Sequence, residues 1–426
     1  MRCWPLAIVI VLTLAGAAVA AERFPPPEFT NHVLPTTAVP PGHSVLFDVI
    51  YLAALAVALA LAAMFVHVLR SRMAIVLLMV ASLAYFGWFY GGCLCPVGAV
   101  QNVAQALGQG AIVPVLVVAV FLLPLIVALF VGRAFCGGVC PLGAIQDLVV
   151  LHPLRVPSWL DGALGLLRYA YLGLAVLAAA TGSAYLICEY DPFLGLFRLA
   201  GPLTMVIAGL SLLAMGTFLA RPYCRWLCPY GLMLSWASRF SQRRVKIAPT
   251  QCVKCRLCED SCPVGAIQTP NDDHPIPRHQ GRGVLAAMLV LLPVLIAGGA
   301  AAGRVMAPTL ARLDATVRVA ERLDAEASGA ATGTTEAGDA FRATGRPVKE
   351  LQTAAAALRE KFLLGSTLFG AFMGLAIGGR LVGLCRRKTR TGYEADKASC
   401  LACGRCLKYC PVGRTAPAAP DGGDAP

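Results

Sequence analysis

Charge is scarce in this chain. Only 14% of its 426 residues are Asp, Glu, Lys or Arg, while 58% are hydrophobic, and the mean hydropathy is +0.69. That composition does not suit a soluble globule. Acidic residues are the scarcer sign, 23 against 36 Lys and Arg, which leaves a net charge of +13. In a membrane protein Lys and Arg gather in cytoplasmic loops, so this excess points to topology rather than to nucleic acid. Histidine numbers only six, and His67 alone lies in an apolar run, so a bis-histidine haem between helices is not expected. No C-x-x-C-H occurs, which argues against a c-type haem. The chain has no P-loop, no dinucleotide fingerprint after a strand and nothing resembling a hydrolytic triad.

Long apolar runs are present instead. They fall at about 48–69, 73–90, 111–132, 169–187, 202–220, 284–303 and 363–384, and several reach the roughly 20 residues needed to cross a bilayer. Before them, Arg2, the apolar stretch Leu6–Leu14 and the small residues Ala18-Val19-Ala20 form a signal peptide, either cleaved or kept as an anchor. Either way the Pro-rich segment 22–45 is expected outside the cytoplasm. Alternating from there, Arg70, Arg72, Arg133, Arg155, Arg168, Arg239, Arg243, Arg244 and Lys246 fall inside, as the positive-inside rule requires. Residues 304–362 fall outside. There Leu310, Leu313, Val317 and Ala320, then Val348, Leu351, Ala355, Leu358 and Phe362, recur at helical spacing and predict a helical hairpin. It serves either as a structural cap or as a docking element.

Seventeen cysteines are many for such a chain, and most are clustered, which points to metal. Cys252, Cys255, Cys258 and Cys262 precede Pro263, and Cys400, Cys403, Cys406 and Cys410 precede Pro411. Both match the ferredoxin run C-x2-C-x2-C-x3-C-P, which binds a [4Fe–4S] cluster and whose fourth cysteine commonly serves the other cluster. The expected ligand sets are therefore Cys252, Cys255, Cys258 and Cys410 for one cluster, and Cys400, Cys403, Cys406 and Cys262 for the second. Structural zinc favours separated C-x2-4-C pairs and fits less well.

Two half boxes, C-x3-C-P, carry Cys136/Cys140 and Cys224/Cys228. They close two parallel repeat units, 73–150 and 169–240, each built of a helix, an outer Cys-plus-Pro turn, a helix and an inner half box. Proline after the second cysteine suits the first turn of a helix, whose free amides point at an anionic sulfur site. The two pairs either join as a third iron–sulfur or other redox-metal site or remain free buried thiols with a packing role. The outer cysteines Cys93, Cys95 and Cys188 form either a disulfide or an outer metal or redox site. Cys3 and Cys385 are incidental.

This order of half boxes and ferredoxin boxes resembles the NosR/NirI and NapH group of membrane polyferredoxins, over roughly residues 46–413, with the membrane and ferredoxin part of NosR the nearer match. The resemblance implies electron supply to extracytoplasmic reductases, with nitrous oxide reduction for NosR-like proteins. It also implies that the eight box cysteines bind clusters and that Cys136, Cys140, Cys224 and Cys228 act as half boxes. NosR-type proteins carry a flavin-binding domain before the first span. Here residues 22–45 take its place, too few for a folded domain, so flavin is not expected on this chain: either a partner brings it or the chain is a branch with another acceptor.

The expected fold is an all-α polytopic membrane protein with about seven transmembrane helices, an internal two-helix repeat and a small cytoplasmic α+β ferredoxin-type module. The expected order is signal 1–21, extracytoplasmic segment 22–45, membrane domain 46–246, first ferredoxin box 247–282, helix 283–303, hairpin 304–362, helix 363–384, second box 385–414 and a disordered tail 415–426. The expected function is electron transfer in the bacterial inner membrane, with two [4Fe–4S] clusters and a third iron–sulfur or metal site. It would join a cytoplasmic or quinol donor to an extracytoplasmic reductase or carrier protein. The alternatives are a redox-dependent maturation or regulatory protein for a metalloenzyme, and a NapH-like quinol dehydrogenase subunit. No substrate-turnover site is visible, and no nucleic acid is expected.

Overall fold

A computed structural model describes residues 45–91, 95–151, 153–154, 156–198, 202–243, 245, 247, 252–270, 278–385 and 392–411. The expected signal, the Pro-rich segment to residue 44, Cys93 and the tail lie outside these residues.

The architecture is helical, with one two-residue antiparallel ladder, Ile267–Gln268 on Glu394–Ala395. Five described helical stretches are long and apolar enough to cross a membrane: Val45–His67, Arg72–Phe89, Ser158–Thr181, Leu285–Ala311 and Val348–Gly383. Two further apolar helices are shorter, Val115–Val131 with 17 residues and Leu203–Gly216 with 14. Pro114 and Pro202 open them, and beyond each one the chain turns into a half box.

Sequence explains how these helices sit. Val45–His67 is apolar all round, yet Tyr51, Leu55, Ala58, Leu59, Ala62 and Val66 alone are buried, a single stripe at helical spacing. The other faces are left for lipid. Ser71 caps the next helix by accepting from the Ala74 amide, and that helix ends in a π-helical stretch, Leu83–Phe89. Cys95, Cys140 and Cys228 each occupy the N-cap of a helix with proline in its first turn, over Pro96–Gln109, Pro141–Leu148 and Pro229–Arg239. The recurrent Cys-Pro is therefore a helix start that presents a sulfur at its N-terminus.

The last two long helices, Arg278–Ala311 and Val348–Cys385, lie against each other. Gly299 and Gly303 meet the backbone of Gly370 and Ser366, and Gly374 meets that of Leu295, so close that a Cβ at any of them would overlap backbone. Small residues four apart allow such approach, which van der Waals packing in lipid favours. Their ends, with Ala315–Ala327 between them, enclose a small core of Val317, Ala320, Ala355 and Phe362 flanked by Leu310, Leu313, Leu351 and Leu358. Asp314 caps Ala315–Ala327 by accepting from Thr316 N at 2.7 Å.

Candidate iron–sulfur centre

The four half-box thiols are all buried, between 7% and 8% exposed. Cys136 lies in the short helix Ala134–Gly138, and Cys224 in the π-turn Tyr223–Leu227. Cys140 and Cys228 cap the helices that follow. Cys140 is within electrostatic reach of Cys224, Cys136 and Cys228, and Cys228 is within reach of Cys224 and Cys136. The two pairs, about 90 residues apart in sequence, thus face one another.

Donors already surround the sulfurs. Gln146 Nε2 donates to Cys224 Sγ at 3.3 Å, Gly231 N to Cys228 Sγ at 3.2 Å, and the Arg133 guanidinium to Cys136 Sγ at 3.8 Å. Burial pushes the Cys224 thiol up to about 11 and those of Cys140 and Cys228 well above their ordinary value. Four converging thiols in a dry pocket resist ionisation unless a cation joins them, whereas metal binding deprotonates them. Iron together with these N–H donors fits the donor set.

A buried ion network braces this pocket. Asp147 pairs with Arg72, with Arg221 at 3.1 Å and with Arg405 at 3.4 Å, and its side chain is fully buried. Burial alone would push its carboxyl up, but Arg221, then Arg72 and Arg405, hold it well below the usual carboxylate range. Arg221 also donates to the Cys136 carbonyl at 2.6 Å, from a backbone at φ 50°. Gln146 uses its whole amide: Oε1 accepts from Tyr223 N at 3.1 Å, and Nε2 also reaches the Leu142 carbonyl at 2.8 Å. Sequence reasoning missed Gln146, Asp147, Arg133 and Arg221. One signal was present for the glutamine, which stands six residues after a Cys-Pro cysteine at Gln101, Gln146 and Gln268.

The ferredoxin boxes meet through the Ile267–Gln268 ladder and an amide bond from Asp396 to the Ala266 carbonyl at 2.9 Å. Cys258 is within electrostatic reach of Cys252 and Cys410, while Cys262 is within reach of Cys403, and both Cys400 and Cys406 within reach of Cys262. Cys406 is also within reach of Cys258, so the sulfurs of the two boxes adjoin, with Cys410 near the first box and Cys262 near the second. At matching positions Lys254 and Ala402 (φ 51° and 53°), then Arg256 and Gly404 (φ 63° and 72°), adopt left-handed backbone. Such turns aim successive amides into one concavity, a setting for an anionic cluster. Burial lifts the Cys400 thiol to about 12.

The boxes differ in setting. Cys252 and Cys255 are exposed. The second box is seated on the half boxes: Arg72 donates to the Cys403 carbonyl at 2.6 Å, Ser235 to that of Ala398 at 2.9 Å, and Arg133 to that of Ala398 at 3.2 Å. At Gly137 a Cβ would lie 2.6 Å from the Ala402 carbonyl, so only glycine permits this approach.

Cys95, Cys188 and Asp191 line a cavity of about 160 Å3 with Asn102 and Arg198. Gln101 Oε1 accepts from the Ile187 and Cys188 amides at 3.1 and 3.3 Å, joining distant segments as Gln146 does. A second cavity has both Cys95 and Cys140 in its wall, with Tyr51, Phe86, Phe135 and Phe197. Burial lifts the Asp191 carboxyl from 3.8 to about 6, against hydrogen bonds from the Phe193 and Leu194 amides. The folded state thus favours the protonated acid, and that stabilisation is complete near pH 4 and lost as pH rises to 6. The thermal midpoint of the solubilised protein should fall over this window, and Asp191→Asn should flatten the fall. An identical fall in the variant would assign it to another group.

Residues 71–112, 113–165 and 200–248 match a family model described as a 4Fe-4S binding domain, and residues 245–268 match another of the same description. The first three matches contain Cys95, Cys140 and Cys228, one Cys-Pro turn each. An uncharacterized protein of Methanocaldococcus jannaschii is 31% identical over 193 residues, 42% of this chain and 77% of that protein. Protein NirI of Paracoccus denitrificans is 34% identical over 120 residues, 27% of this chain and 18% of NirI. YccM of Escherichia coli, whose name assigns it to electron transport, is 29% identical over 118 residues, 25% of this chain and 33% of YccM. The chain thus spans three quarters of the archaeal relative but a third or less of NirI and YccM. No solved structure matches it.

Proposed function

Because the chain belongs to the NosR/NirI-type family of membrane-bound 4Fe–4S proteins, we propose that its iron–sulfur electron transfer runs across the bacterial cytoplasmic membrane, between a cytoplasmic or quinol donor and an extracytoplasmic reductase. In this reading seven helices span the membrane and the ferredoxin boxes face the cytoplasm. Cys252, Cys255, Cys258 and Cys410 hold one cluster, Cys400, Cys403, Cys406 and Cys262 a second, and Cys136, Cys140, Cys224 and Cys228 a third. A bound [4Fe–4S] cluster supplies one-electron transfer.

One observation carries the reading: the cysteine groups adjoin in a row. The exposed first box touches the second, the second is seated on the half boxes, and Cys140 shares a cavity wall with Cys95. A bilayer core is about 30 Å thick, too far for one hop from the boxes to an outer acceptor. The half-box site divides that distance. Gln146, Gly231 and Arg133 hold its sulfurs in place, and the Asp147 network ties the second box to it.

The test uses purified full-length protein in sealed vesicles, with reductant on the box side and an impermeant acceptor on the other. Wild type should pass electrons. Cys140→Ser and Cys224→Ser should each stop transfer and lower iron by about a third, one [4Fe–4S] cluster of three. Wild type holding iron in the ferredoxin boxes alone, or variants that conduct normally, would sink the reading.

A further inference from the structure

Arg133 is 4% exposed and stands between two cysteine groups. Its guanidinium faces Cys136 Sγ at 3.8 Å and donates to the Ala398 carbonyl in the second box. It is within electrostatic reach of Cys224 and Cys228 on one side and of Cys400 on the other. Arg72, Arg221 and Arg405 share the carboxylate of Asp147. Among the described residues no carboxylate pairs with Arg133, and its Nε is a buried donor without an acceptor. A buried cation with no anion is strongly disfavoured. The sulfurs it faces are the counter-charge it has.

We propose that Arg133 is the potential-setting residue of the half-box site, holding that site's midpoint above that of the first-box cluster. This rests on the reading that the four half-box cysteines bind a cluster. Such a cluster is anionic, and its charge becomes one unit more negative on reduction. A fixed positive charge beside it therefore stabilises the reduced form more than the oxidised form, and it does so most where water is excluded. At the first box the neighbouring cations, Lys254 and Arg256, are exposed, where water and salt screen them. Arg133 thus makes the half-box site a better electron acceptor than the first-box cluster and directs electrons inward from it.

The experiment is a redox titration of full-length solubilised protein followed by EPR, comparing wild type, Arg133→Gln and Arg133→Lys. In Arg133→Gln the half-box midpoint should fall by at least about 59 mV, a tenfold change in the one-electron equilibrium. The first-box midpoint should move less, and Arg133→Lys, which keeps the charge, should stay near wild type. An unmoved half-box midpoint in Arg133→Gln overturns the proposal, as does an equal fall in both variants, which marks a structural role. If Arg133→Gln does not retain the half-box iron, Arg133→Lys decides: a midpoint within about 59 mV of wild type supports the charge role, and a larger fall overturns it. A wild-type protein with no half-box signal overturns the cluster reading itself, and the proposal with it.

Discussion

Asp147→Ala should destabilise the folded protein by about 3–5 kcal/mol, the usual cost of removing one partner from a buried ion pair. The carboxylate is fully buried and is the shared anion of Arg72, Arg221 and Arg405. Those arginines come from three places: the start of the Arg72–Ser82 helix, the turn before Tyr223, and the second ferredoxin box. Removing the anion leaves Arg221, 1% exposed, unpaired beside the half-box thiols, and unties the second box from the membrane part. Thermal unfolding of the solubilised variant measures the loss. An unchanged midpoint would mean that the arginines find another anion. Because the arginines depress the Asp147 carboxyl, its contribution is present above the unfolded carboxylate pKa and is lost only as pH falls below the usual carboxylate range. Between pH 4 and 6 the network therefore persists, and the fall expected from Asp191 is not masked by it.

Cys410→Ser should remove the cluster of the first box, not that of its own. Cys410 lies within reach of Cys258, as does Cys406, and Cys262 lies within reach of Cys400, Cys403 and Cys406. Iron should fall by about a third, one [4Fe–4S] cluster of three. Cys262→Ser should remove the complementary signal, so the two variants together assign both. A Cys410→Ser protein that keeps the first-box signal and loses the second would show that each box holds its own cluster. The exchange has a mechanical consequence. On the proposed exchange each cluster would close the loop of more than a hundred residues between the boxes, and chelating the iron should loosen the hairpin ends as well as the boxes.

The chemistry was legible from local spacing. Four cysteines at 2-2-3 intervals, a proline that starts a helix and apolar runs of membrane length are properties of short stretches, and each states its physical purpose within about twenty residues. The likeness of the two half boxes was legible for the same reason, since Cys140 and Cys228 occupy the same place in two similar strings. Helix lengths were less so: Val115–Val131 starts late, behind Pro114, and Leu203–Gly216 stops short of the turn that follows it, and hydropathy registers neither a proline start nor a turn. Only the tertiary structure decided that the half boxes face each other, that the second box rather than the first is seated on them, and that Cys95 and Cys140 share a cavity. It also selected Asp147, Gln146, Arg133 and Arg221 from among ordinary polar residues. A buried charge or amide is identified by what surrounds it, and the surroundings of these four come from segments 70 to 265 positions away. Composition and spacing therefore determined what this chain binds, and packing determined the order in which the sites stand.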